Sequence, residues 1–449
     1  MRLAPGLDLA LPFLVGAAVV AAVLSFLLTP VVERAADRLG VVDRPDHRRV
    51  NKTPVPRGGG LAVAPAFLVA AVGFLVIHDP GAIRTPSTIG QSELVGLIGG
   101  GVLATLVGFI DDYWQLRARW QLGGQIGVAL VAVALGATPD IVSNPFGGAL
   151  SLAGPIGVGF TIVWILGMIN STNFIDGLDG LSPGIGLIAA VTLGLISLTT
   201  AVGPSGQPFV AVLCFALAGS LAGFLRWNFH PATIFVGTSG VMFIGYTLAL
   251  LSILGTAKVA VAMLVLGVPI IDTFWIIVRR IASRRSPFTP DRGHIHHRLL
   301  DLGLSHMQTV MLIYGVCVFL AVLALVLSVE LQVLAFAIFT VGSGLALFVL
   351  TRREVDRGTR PAPGSAPSPV PAGPGRADPD RVDRVDRADG PDRAEGALGG
   401  VDRASELPRQ APADRPVRPY IGDSVVGART AIRPIEPVSD PVADPARPR

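Results

Sequence analysis

An all-α, polytopic membrane protein is the fold this sequence predicts, and three observations predict it. Hydrophobic residues make up 51% of the 449 and charged ones 15%, whereas a soluble domain keeps roughly a quarter of its residues charged. The apolar residues are gathered into runs close to the ~20 residues that a bilayer-spanning helix needs. Lys and Arg fall almost entirely in alternate connections between those runs. Cys214 and Cys317 both lie inside apolar runs, which argues against a disulfide framework and reads them as small core residues.

The runs fall at 10–29, 59–77, 93–110, 122–138, 155–169, 181–201, 208–225, 239–255, 258–278, 309–328 and 331–350, which gives about eleven spans. The first is followed by a basic segment, as an uncleaved span would be, so no cleavable signal peptide is expected. One set of connections (30–58, 111–121, 170–180, 226–238, 279–308) holds sixteen Lys and Arg residues, among them Arg34, Lys52, Arg57, Arg117, Arg226, Arg279 and Arg298. The opposite side holds Arg2, Arg84 and Lys258. The positive-inside rule therefore places the first set and the C-terminus in the cytoplasm, with the N-terminus outside. The membrane domain is expected over residues 1–353. Residues 354–449, rich in Pro, Ala, Gly, Asp and Arg with Asp-Arg near-repeats, have no apolar run able to support a core, and a disordered cytoplasmic tail is expected there.

The conspicuous polar clusters all fall in the cytoplasmic connections. Asp111-Asp112 closes the third run. An acid pair beside a membrane is costly unless a cation neutralises it, and Mg²⁺, with Mn²⁺ as its substitute, suits carboxylates combined with substrate phosphates. Asn170, Asn173, Asp176 and Asp179 recur every third residue in Asn170-Ser171-Thr172-Asn173-Phe174-Ile175-Asp176-Gly177-Leu178-Asp179-Gly180. On a helix that spacing makes one slowly drifting polar stripe. His294-Ile295-His296-His297-Arg298 offers imidazole and guanidinium donors for an anion. Zinc is the rival at that cluster, but no cysteine is near it and Arg298 would repel the metal.

The entry loop from Asp43 to Arg57-Gly58-Gly59-Gly60 is basic and could draw a phosphate to the surface, or serve only as a topology signal. In Asn228-Phe229-His230-Pro231 through Gly237-Thr238-Ser239-Gly240, a helix start could bind phosphate on its N–H groups, or be capped by Thr238 or Ser239. Asp272, inside the ninth run, is either a functional acid or a structural hydrogen-bond partner. A transporter would place charges near the midplane and show internal repeats, and neither is seen.

In this order the motifs resemble the polyprenyl-phosphate N-acetylhexosamine-1-phosphate transferases, over about residues 10–350. The His-x-His-His-Arg-Leu form looks like the branch that uses UDP-N-acetylglucosamine. The resemblance implies transfer of a sugar-1-phosphate from a UDP-sugar to a polyprenyl-phosphate carrier in cell-envelope polymer synthesis, with release of UMP and with Mg²⁺. It implies membrane and lipid partners, no nucleic acid, and admits a homodimer. By the resemblance, Asp111 and Asp112 are the catalytic pair near the metal and lipid phosphate. Asp176 and Asp179 join them as metal ligands, and Asn170, Asn173 and Asn228 contact the nucleotide or metal site. His294, His296, His297, Arg298 and Arg57 bind substrate. The family usually carries an acid where Thr238 stands, making this a degenerate ligand position, and a histidine where Asn51 stands. The alternative left open is a paralogue that binds lipid-linked intermediates or partners without turnover.

Overall fold

The structure, a computed structural model, describes residues 7–43, 54–77, 89–139, 141–143, 149–152, 154–199, 206–254, 258–284 and 293–358. The predicted tail from 359 onward lies outside the described residues, as do Asn51, Asp291 and Arg292.

Each of the eleven apolar runs contains helix. They are α1 (Leu7–Leu39), α2 (Gly60–Ile77), α3 (Gln91–Trp114), α4 (Ala118–Ala134), α5 (Pro155–Ile175), α6 (Leu181–Ser197), α7 (Pro208–Asn228), α8 (Gly237–Ile253), the pair α9 (Val259–Val265) and α10 (Gly267–Ala282), and, after a short α11 (Ile295–Asp301), α12 (His306–Val326) and α13 (Val329–Gly358). Helix α13 runs past the predicted boundary at 353. Two small antiparallel hairpins, β1 (Val42–Asp43) with β2 (Val55–Pro56) and β3 (Ile141–Ser143) with β4 (Ala149–Ser151), complete the described elements.

Among the described residues seven helices are long and apolar enough to cross a membrane, and the α9–α10 pair makes an eighth. Helices α4, α6 and α8 have 17 residues each. At 1.5 Å per residue that is about 26 Å, a little short of the ~30 Å hydrocarbon core. The α9–α10 pair is bent by 78°. Gly267 and Pro269 stand at the break, and Pro269 has no N–H for the helical ladder.

Helix α8 is the axis of the bundle: every residue in it except Thr238 is buried. Glycines on its neighbours let backbones approach closely. A Cβ on Gly108 of α3 would fall 2.5 Å from the Ser239 Cα, and one on Gly245 of α8 would fall 2.6 Å from the Ile169 Cα of α5. Helices α1 and α7 meet the same way, with Gly219 and Gly223 against the carbonyls of Ala18 and Ala22. Small-xxx-small spacing of this kind brings helices together where no hydrophobic effect separates helix from lipid. Rows of Val and Leu on α1 and α13 stay exposed, as lipid-facing surfaces do. Tyr113, Trp114 and Trp120 are exposed around the α3–α4 turn, the position of aromatic interface anchors.

Candidate active site

The N-terminus of α8 is held by an acid from another helix. The Asp112 carboxylate, at the last turn of α3, accepts the Thr238 N–H at 2.7 Å, the Ser239 N–H at 3.0 Å and the Ser239 hydroxyl at 2.8 Å. The sequence left those N–H groups to a phosphate or to a local hydroxyl cap; Asp112 takes them instead. Gly237 makes this approach feasible. Its φ is +70°, and a Cβ there would sit 2.6 Å from the Asp112 carboxylate, so no other residue fits without strain. Thr238 itself is half-buried at this spot.

Arg57 reaches the same spot because its loop is stitched to the α7–α8 connection. The Phe235 N–H donates to the Pro56 carbonyl, and the Gly59 and Gly60 N–H groups donate to the carbonyls of Phe235 and Val236. The Arg57 Nε lies 3.2 Å from an Asp43 carboxylate oxygen. Its charge is felt at Asp176.

Asp111 turns the other way. Its carboxylate accepts the Leu116 N–H at 2.9 Å and the Gln121 side-chain N–H at 2.8 Å, closing the α3–α4 turn. One helical turn on, Gln125 accepts from the Asn170 amide at 2.7 Å. Asn173 is half-buried near the C-terminal end of α5.

Helix α5 stops at Ile175, so the expected four-residue stripe is broken in two. Gly180, at φ +79°, redirects the chain, and its N–H donates to the Asn228 side chain at 3.0 Å while its carbonyl accepts from the Tyr314 hydroxyl. Asn228 spends its other end donating to the Ile234 carbonyl at 2.8 Å. It therefore buckles the α5–α6 turn to the α7–α8 connection. Within that turn Asp176 accepts the Ser182 hydroxyl at 2.7 Å. Burial pushes its pKa up to about 7, with the Asp112 and Asp179 charges adding and Ser182 and Arg57 opposing. Asp179 faces histidine: one carboxylate oxygen lies 2.7 Å from the His230 Nδ1 and accepts the Ala232 N–H at 3.2 Å.

The histidine segment is built on Asp272. That acid, 2% exposed in α10, accepts the Ile295 N–H at 2.8 Å, capping α11, and its other oxygen lies 2.8 Å from the His294 Nδ1. Asp272 is thus the structural partner that the sequence left undecided. His296 packs on Gly177, where a Cβ would fall 2.1 Å from its Nε2. This contact joins the histidine segment to the aspartate turn. Its ring lies against those of His294 and His297, at 5.6 and 4.3 Å. Arg298 points into the protein, where its Nε donates to the Gly293 carbonyl at 3.0 Å and its Nη1 to the Leu347 carbonyl at 3.1 Å. It ties the segment to α13.

His296 is held well below the usual histidine pKa of 6.5, by burial first and then by His297, His294 and His306. The unfolded chain therefore takes up a proton near pH 6.5 that the folded chain refuses. Stability is unaffected by this group above about 6.5 and falls as pH drops below it, by at most ~1.4 kcal/mol per unit. The melting temperature of the detergent-solubilised protein is expected to fall from pH 6.5 to about 5.5 more steeply in the wild type than in His296→Gln. Equal slopes would refute the assignment.

The resemblance groups Asp111, Asp112, Asp176 and Asp179 as metal ligands; in the structure Asp112 caps α8, Asp111 closes the α3–α4 turn, Asp176 accepts from Ser182 and Asp179 faces His230. Among the described residues, the metal-competent side chains that converge are Asp179, His230 and His306, with ligand atoms within 4.8 Å of one another. Sequence reasoning gave His230 no role within its motif and missed His306, Ser182, Gln121 and Gln125, because isolated polar residues beside long helices carry no spacing signal.

A helical membrane protein with its polar chemistry gathered where interhelical loops meet the N-terminus of a buried central helix is the class these features define. Residues 94–256 match the family described as glycosyl transferase family 4. The chain is 35% identical over 308 residues, 67% of its length and 81% of the relative's, to the probable undecaprenyl-phosphate N-acetylglucosaminyl 1-phosphate transferase of Bacillus subtilis. It is 36% identical over 316 residues, 66% and 78% of the two chains, to the decaprenyl-phosphate N-acetylglucosaminephosphotransferase of Mycobacterium leprae. It is 32% identical over 349 residues, 70% and 98%, to the phospho-N-acetylmuramoyl-pentapeptide-transferase of Desulforudis audaxviator. The chain belongs to this family of membrane transferases.

Proposed function

We propose that the chain transfers N-acetylglucosamine-1-phosphate from UDP-N-acetylglucosamine to polyprenyl phosphate, releasing UMP, on the cytoplasmic face of a bacterial plasma membrane. The names of the relatives support the acceptor and the transferred group. The observation that carries the chemistry is the meeting of carboxylates: buried Asp112 at the end of α3 and Asp176 in the α5–α6 turn act on one another, with the Arg57 charge acting on both. A carboxylate short of positive charge beside the membrane fits a divalent cation shared with substrate phosphates. Mg²⁺, held by Asp176 and Asp112 with phosphate oxygens, would neutralise charge on the diphosphate.

The polyprenyl phosphate oxygen attacks the β-phosphorus of the donor, the bond to the bridging oxygen breaks, and UMP leaves with that electron pair. The attacking phosphate has a second pKa of about 6 and is largely dianionic at neutral pH, so no strong base is required. The residues of the chain then act by positioning and by charge. Arg57 adds a cation beside the acids, and the His294–His297 segment offers imidazole donors to the donor's diphosphate and sugar. Asn228 and Tyr314 hold the Asp176–Gly180 turn in place.

Membranes containing the protein, supplied with UDP-N-acetylglucosamine, polyprenyl phosphate and Mg²⁺, are expected to release UMP in step with a lipid-linked sugar phosphate, and Mn²⁺ should substitute. Thr238, a neutral side chain where the family usually carries an acid, and Asn51, where it usually carries a histidine, are what favours the turnover-free reading. Wild-type silence combined with activity in Thr238→Asp would establish that reading and overturn this one.

A further inference from the structure

We propose that Asp179, His230 and His306 form a transition-metal site, distinct from the Asp112 and Asp176 carboxylates proposed above to hold Mg²⁺ and suited to Zn²⁺. The three side chains come from three separate elements: the α5–α6 turn, the α7–α8 connection and the first residue of α12. Each presents a ligand atom within 4.8 Å of the other two.

Beyond the proximity of the two imidazoles, whose centroids are 4.2 Å apart, two further observations point to a ligand. The His230 Nδ1 lies 2.7 Å from the Asp179 carboxylate oxygen. Tetrahedral bonds of about 2.0 Å set ligand atoms roughly 3.3 Å apart, so admitting an ion opens this pair by only about half an ångström. The Nδ1 of His306 is buried with no hydrogen-bond partner, while its Nε2 stands 3.5 Å from the Asp179 carbonyl. A ring nitrogen oriented by a backbone carbonyl, with the other left unpaired, is the arrangement in which imidazole ligates metals.

The donor set decides the ion. Two imidazoles and one carboxylate suit Zn²⁺ and its first-row neighbours, whereas Mg²⁺ takes oxygen. His230, its side chain 44% exposed, gives the ion a way in. Three protein ligands leave one tetrahedral position for water or an anionic oxygen. These histidines differ from the His294–His297 group, and the site does not depend on the transfer reaction.

The test uses the full chain in detergent, stripped with chelator and titrated with Zn²⁺ alone against a competing dye, with Co²⁺ absorption as the coordination signature. One equivalent is expected to bind, to raise the melting temperature and to resist millimolar Mg²⁺. His306→Gln and His230→Gln should each weaken binding at least about tenfold and erase the Co²⁺ bands. His297→Gln should bind as the wild type does. If His306→Gln does not fold, the exposed His230→Gln decides the matter. Undiminished binding in His230→Gln, loss of binding in His297→Gln, or displacement by Mg²⁺ would each overturn the site.

Discussion

Asp112→Asn is expected to abolish transfer and to loosen the centre of the bundle in the same substitution. The wild-type carboxylate accepts three hydrogen bonds from the start of α8. An amide keeps one accepting oxygen but turns N–H groups toward Ser239, whose N–H and hydroxyl both donate. Hydrogen bonds to a charged acceptor contribute about 1.5–3 kcal/mol each, so thermal stability in detergent should drop by a few kcal/mol. Transfer should fall further, by ~10²–10³-fold or more, because the lost charge is also one of those proposed to hold the cation. Ser239→Ala separates the two effects. It removes one hydrogen bond and leaves the carboxylate, so it should cost about 1 kcal/mol of stability while activity stays within a few-fold. Equal losses of UMP release in both variants would show that Asp112 matters only as a cap.

Asp272→Ala should cost nearly as much through a different route. Removing this acid leaves the His294 ring and the Ile295 N–H without their partner in a buried place. Leaving a buried hydrogen-bonding group without its partner costs about 1–3 kcal/mol, and two groups lose theirs here. Helix α11 has seven residues, too few to stand alone. The penalty should therefore appear as opening of the histidine segment rather than of the whole bundle. Hydrogen exchange over 294–301 should rise at least tenfold, and binding of UDP-N-acetylglucosamine, read by equilibrium dialysis, should weaken by ~10²-fold. Fast exchange with undiminished binding would remove the histidine segment from the donor site.

The contrast between Asp112 and Asp272 shows how much was legible beforehand. The Asp111-Asp112 pair stood out in sequence, but adjacency hid a division of labour. One side chain caps α8, and the other closes the α3–α4 turn. Asp272 stood out as an acid inside a span, and its partner lay 22 residues away, across a segment outside the described residues. Arg298 looked like an anion ligand because it follows three histidines. Its Nε and Nη1 donate to backbone carbonyls, one of them 49 residues distant in α13.

The sequence by itself determined the all-α membrane fold and the polar motifs between its apolar runs. Bilayer length and hydrophobic burial are one-dimensional constraints, readable from runs of apolar residues and from the placement of Lys and Arg. The tertiary structure alone decided which polar groups face one another, where the α9–α10 span bends, and that Asp179 meets His230 and His306. Hydrogen bonds and charge pairs act over about 3 Å, and which atoms come that close depends on how helices cross. Crossing is set by glycines such as Gly108 and Gly245 packing against backbones more than a hundred and about seventy-five residues away, a relation that no local pattern records.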